Sequence, residues 1–166
     1  MEIVRAITAG LAEAGIVSDA VEAPGLIRQA VAEDHLVLIV PTTHPLASRR
    51  TVAFADVLGE PFVGLAANSA LHAHLDDHAR AAGRMLAVRI RMHTYEGICE
   101  MVSHDIGVSI LPRGVARRLR ARHAYRIRPL MDNWARRQLC LCYRDWSALS
   151  APMQSLLLHL GQAQEA

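Results

Sequence analysis

Residues 35–41 read HLVLIVP. Positions 36–40 form an unbroken apolar run, headed by His35 and closed by Pro41. A run this short, with β-branched residues and a terminal proline, suits a strand covered on both faces better than a helix. Outward from it the chain alternates. PFVGL reads as a strand before a helix at 70–82, and LAVRIRM as a strand before a helix at 95–104. GVSILP then reads as a strand, RGVARRLRA as a helix, and YRIRPL and QLCLCYR as two further strands. A closing helix over Ala151–Gln162 carries Pro152 in its first turn. At the front, Ile3, Ile7 and Leu11 recur at helical spacing, with Gly10 near the helix end and a short run at 15–17 after it. Strands alternating with helices predict βαβ units and mainly parallel sheets. PTTHPLASRR reads as a hinge, and with the late strand at 139–143 it implies two crossings between two small α/β lobes.

Composition narrows the function classes. At 166 residues and 52% hydrophobic, the chain suits one domain or two small lobes with a real core. No apolar run is long enough to span a membrane, and the first residues do not read as a signal peptide. Three cysteines, Cys99, Cys140 and Cys142, lack metal spacing and fit a reducing, cytoplasmic setting. All 18 basic residues are arginine, and net charge is only +2. The basic stretch from Arg113 to Arg128 reads as a solvated helix face and edge strand, with too few aromatics for base stacking.

ALHAHLDDH, residues 70–78, comes within one residue of the H-x-H-x-D-H zinc signature of metallo-β-lactamase-type hydrolases, because Asp77 stands where that signature has histidine. Asn68 or Ser69 caps a helix there and Gly83 stops it. Leu71, Leu75 and Ala82 then make the apolar stripe, with His74 and His78 at its edge. His72 falls about 160° round the helix from His74, so the two cannot share a metal. A metal-dependent hydrolase using His72, His74 and His78 is the alternative function. Ser109 sits inside a strand without a nucleophile elbow, Cys99 is expected on an inner helix face, and no phosphate-binding glycine loop is present. These residues form no catalytic set, and no cofactor or metal is expected. Binding remains. Asn68 and Ser69 follow PFVGL, and His93 and Thr94 follow VRIRM. Each pair is either a simple cap or an anion site at a helix N-terminus outside a strand's carboxyl end.

The segments HLVLIVPTTHPLA, IGVSILP and DNWARRQLCLCYR, in this order after EIVRAITAG, closely resemble the effector-binding domain of LysR-type bacterial transcriptional regulators. The resemblance runs nearly the whole chain. It implies two Rossmann-like lobes of the periplasmic-binding-protein type II kind, residues 1–43 plus 137–166 and residues 44–136, with LVLIVP and LCLCYR as crossover strands. It further implies a small-molecule, anionic effector in the cleft, contacted by Asn68, Ser69, His93, Thr94 and Ser18. The parent is implied to be a cytoplasmic homodimer or homotetramer that acts on DNA, not an enzyme. A free-standing solute-binding protein is the remaining alternative, opposed by the lack of a signal peptide. Glu13 replaces the usual aspartate before GIV, and Asp105 replaces a glycine where a left-handed turn is expected. Against a full member, Met1 falls where the helix after the first lobe's second strand starts. The winged helix-turn-helix and the first two strands are thus expected to be lacking, leaving an open sheet edge that favours self-association.

Overall fold

The structure, a computed structural model, describes residues 2–66 and 69–162. In chain order the elements are α1 (Glu2–Thr8), β1 (Ala14–Ser18), β2 (Ile27–Glu33), β3 (Leu36–Pro41), α2 (Phe54–Val57) and β4 (Pro61–Leu65). There follow α3 (Ala70–Ala81), β5 (Ala87–Met92), α4 (Tyr95–Ser103), β6 (Ser109–Pro112) and α5 (Arg113–Leu119). β7 (Tyr125–Pro129), β8 (Gln138–Tyr143) and α6 (Ala151–Gln162) complete the chain. They fall into two compact units, Leu36–Ala135 and the pair of segments Met1–His35 and Arg136–Ala166.

In the Leu36–Ala135 unit every residue of β3 is buried. Its alternate side chains feed opposite cores. Leu36, Leu38 and Val40 join Phe62, Leu71 and Leu75, whereas Val37 and Ile39 join Ile98, Val102 and Leu119. Burial on both faces is worth about 2 kcal/mol for each of these side chains, and it is why the run shows no polar alternation. β3 pairs antiparallel with β6 on one edge and β7 on the other, with Leu38 opposite Ile110 and Arg128. β4 and β5 are parallel, and Phe62 bridges Val108 in parallel. Val63 N donates to Val108 O and Val108 N to Pro61 O, both at 2.8 Å, joining the two strand groups. β4, β5, β6 and β7 therefore run one way and β3 alone opposes them. The expected boundary after residue 43 differs from the observed one after His35, because among the described residues β3 pairs with β6 and β7, both strands of this unit. The expected hinge at PTTHPLASRR is instead partly a 3-10 turn, Pro45–Ser48, whose Leu46 is buried in the same core.

The other unit is a sheet of order β1-β8-β2, with β8 antiparallel to both neighbours. Parallel pairing does not hold for these three strands. One face packs Ile7 of α1 with Val17 and Cys142, and the other packs Leu157 of α6 with Val31, Leu141 and Tyr143. Leu11, expected on the α1 stripe, lies past the helix end and is 84% exposed. β2 is a strand for which the sequence reading made no assignment, and Val31 is its one buried residue. Asp105 does adopt a left-handed backbone, with φ of 61°, turning α4 back toward β6.

Candidate functional site

β4 and β5 end side by side, with Leu65 opposite Met92 and Ala66 N donating to Met92 O at 2.9 Å. Each leads into a helix on the sheet's carboxyl edge. Ser69 caps α3, its hydroxyl accepting from His72 N at 3.5 Å, and Thr94 caps α4, accepting from Gly97 N at 3.1 Å. Both caps hold extended backbone, the conformation that lets a side-chain oxygen reach the first turn. The first turn of α3 contains no acidic residue, so its positive end is not neutralised by its own sequence. Thr94 and His93 are exposed beside it. Ser69 and Thr94 are thus brought to neighbouring positions by a parallel strand pair; the N-terminus of α3 favours an anion, whereas Glu96 in the first turn of α4 partly offsets that helix's positive end. Asn68 lies outside the described residues. Ser18 ends β1 in the other unit, where its hydroxyl donates to Asp19 Oδ1 at 3.2 Å and accepts from Ala20 N at 3.3 Å.

The histidines of α3 divide between two environments. His72 is 2% exposed, alongside buried Leu71, Leu75 and Ala79. Ala79, not Ala82, completes the stripe, because the helix ends at Ala81 and Ala82 is exposed. His72 is therefore a core residue, on a different side of α3 from His74, as their rotation of about 160° implies. Its ring lies against the bare backbone of Gly64, where a Cβ would stand 3.1 Å from Cε1 and 3.2 Å from Nδ1. The Arg91 guanidinium reaches to 2.5 Å from His72 Nε2 and donates to Leu65 O at 3.2 Å. Asp76 Oδ2 is 3.3 Å from the same Nε2. Burial holds the His72 pKa below its ordinary value; Asp76 pulls it up and Arg91 pushes it down.

His74 and His78 face Trp134 instead. His78 stacks on the indole with ring centroids 4.2 Å apart and 13° between planes, and His74 meets it edge-on at 5.4 Å. Phe54 meets the indole edge-on with ring centroids 5.0 Å apart. Burial also lowers the His78 pKa, against Asp77 and Asp132. Among the described residues no group of three His, Cys, Asp or Glu is placed to hold a metal. The three histidines point to two different sides of α3, and the hydrolase alternative finds no ligand set in them.

His72 and Arg91 were missed as site residues. Gly64 inside a strand was the available signal, since it marks a close approach by some neighbour. Arg91 carried none, because its direction depends on an irregularity in β5. Val88 pairs with Phe62 but Ile90 with Val63, so Arg89 is skipped and every later side chain changes face.

Parallel strands that end beside helix N-termini are where open α/β sheets bind small ligands. The chain is a member of the LysR substrate binding domain family, whose match covers residues 1–165. The HTH-type transcriptional regulator CysL of Bacillus subtilis is 25% identical over 142 residues, which is 76% of this chain and 46% of CysL. An uncharacterized HTH-type transcriptional regulator of Methanocaldococcus jannaschii, MJ0300, is 29% identical over 106 residues, 61% of this chain and 36% of that protein. The chain thus spans less than half the length of these relatives. The regulatory domain of CcmR from Synechocystis PCC6803, solved in complex with 2-PG, matches with a TM-score of 0.83 at 20% identity, over 98% of this chain and 78% of that one. The effector binding domain of QuiR in complex with shikimate matches at 0.75 and 16% identity, over 98% and 76%. The fold is accordingly the periplasmic-binding-protein type II kind. The family is one of regulatory domains rather than enzymes.

Proposed function

We propose that this chain is the effector-sensing part of a LysR-type transcriptional regulator and that it takes a small anionic metabolite at the N-termini of α3 and α4. The observation that carries the anionic preference is the adjacency of the two capped helix starts, Ser69 and Thr94, at the ends of β4 and β5. The bound 2-PG and shikimate of the CcmR and QuiR domains support a small-molecule effector. Asn68 and His93 complete the proposed contacts on this unit. Calorimetric titration with a panel of carboxylates and phosphorylated small acids tests the reading. Each of Ser69→Ala and Thr94→Ala is expected to weaken the best ligand about tenfold or more, the worth of one hydrogen bond to a charged group. Unchanged affinity in both variants would sink it.

The parent protein is proposed to act on DNA through a segment other than the one described, in the cytoplasm. No described helix is long and apolar enough to cross a membrane. Self-association is proposed through the β1-β8-β2 unit, whose outer strands are β1 and β2 and whose Ile3, Ile16 and Ile27 are each more than 40% exposed. Light scattering on a size-exclusion column is expected to give a dimer or larger. A monomer at high concentration would contradict that.

A further inference from the structure

His72 Nε2 faces two partners that ask opposite things of it. Arg91 is a permanent cation and can only donate, so its approach to 2.5 Å requires Nε2 to be an acceptor. The proton of the neutral ring then sits on Nδ1. Asp76 Oδ2, 3.3 Å from the same Nε2, can only accept, and it is satisfied there only once Nε2 carries a proton. One nitrogen cannot serve both. Gly64 and Arg91 are cross-strand neighbours, turned to the α3 side by the bulge at Arg89, and Gly64 leaves the ring the space to sit there. Among the described residues the charged groups facing His72 are Asp76 from α3 and Arg91 from β5; β4 offers the uncharged Phe62, Gly64 and Leu65, and β6 the neutral Ser109.

We propose that His72 is a proton-operated latch on the anion site. In its neutral form Nε2 holds Arg91 down against the end of β4. In its protonated form Nε2 turns to Asp76 and frees the guanidinium for an anion at the N-terminus of α3. Arg91 connects the two ends of the segment that delivers Ser69, touching Leu65 O before it and His72 after it. Release of the latch therefore changes the start of α3 itself. Imidazolium adds a positive charge and the freed guanidinium turns its existing one toward the docking anion, so proton uptake and anion binding favour each other, and by linkage the favour is mutual. Burial of His72 against an adjacent cation keeps the latch closed at neutral pH. This rests on the anion-site reading above and adds its regulation.

Heteronuclear NMR of the histidine rings, on the whole chain, tests it with sulfate as the anion, which stays divalent from pH 5 to 8. At pH 7.5 His72 is expected as the Nδ1–H tautomer. Arg91→Met is expected to raise the His72 midpoint and Asp76→Asn to lower it. Sulfate is expected to raise the midpoint by about half a unit in the unaltered protein, equivalent to about threefold tighter binding on the acid side. His72→Gln should remove that acid-side gain, whereas His104→Gln, at the exposed histidine that ends α4, should leave most of it. An Nε2–H tautomer at pH 7.5, or a midpoint indifferent to Arg91→Met, overturns the latch. Sulfate shifts at the amides of residues 69–72 with an unmoved His72 midpoint overturn the coupling alone. No sulfate shifts there at all count against the anion site and so against the coupling, while the tautomer and the Arg91→Met arm still decide the latch.

Discussion

Gly107→Ala is expected to destabilise the Leu36–Ala135 unit by about 3 kcal/mol or more, the upper range for overpacking against groups that cannot move. A Cβ at Gly107 would lie 2.3 Å from Pro61 O and 2.9 Å from Pro61 C. Those are backbone atoms of β4, so no rotamer change relieves the clash. The same carbonyl accepts from Val108 N, and Val108 O accepts from Val63 N, which together bind β4 to β6. Moving the strands apart therefore gives up two ladder hydrogen bonds and wets Phe62, Val63 and Val108, all nearly inaccessible. Gly114→Ala is the control, since nothing lies within 4 Å of its would-be Cβ and alanine favours the helix. Urea unfolding should separate the two. A Gly107→Ala protein within about 1 kcal/mol of the parent would show that β4 and β6 can part without penalty.

Arg137→Met is expected to cost about 3–5 kcal/mol, and Asp34→Leu combined with it to recover most of that. Asp34 follows β2 and Arg137 precedes β8; Asp34 N donates to Arg137 O at 2.8 Å and the side chains form an ion pair. Those side chains are only 13% and 10% exposed. Burial pushes the Asp34 carboxyl above its ordinary pKa, and the opposing attraction of Arg137 does not cancel it. The ion pair is thus no net gain over a neutral acid, but a lone carboxylate in its place is far worse. A folded pKa above the unfolded one gives stability that is complete below about pH 4 and is lost as pH rises through the folded value. The single variant should accordingly become more stable as pH falls from 7 toward 5, and the double variant should not. Denaturant midpoints at both pH values measure this. Equal stability of the single and double variants would refute it.

Much of this architecture was legible where one local pattern dictated one outcome. Positions 36–41 are apolar at every step because both faces of β3 are covered, and Ser69 and Thr94 are read as caps from the residues after them. β2 escaped because an edge strand with one buried residue has no apolar alternation to detect. The boundary after His35 escaped because strand order, not the prolines of residues 41–45, decides which unit β3 joins. In the candidate site, the two caps were visible, whereas Arg91 and His72 were not. Their meeting depends on a skipped residue in β5 and on an absent side chain in β4, and both are properties of pairing rather than of either segment. The histidine-rich helix was legible in its rotation, which separates His72 from His74, but not in its partners: one ring enters the core and two lie on an indole.

That indole has an experimental use. The chain holds two tryptophans, Trp134 in the Leu36–Ala135 unit and Trp146 in the other, where it meets Tyr143 edge-on at 5.8 Å. Each unit therefore carries its own natural fluorophore. Replacing one or the other by phenylalanine leaves a single emitter, so the melting of the two units can be timed separately without any added dye. The imidazole stacked on Trp134 is expected to quench that emitter, so His78→Gln should brighten it.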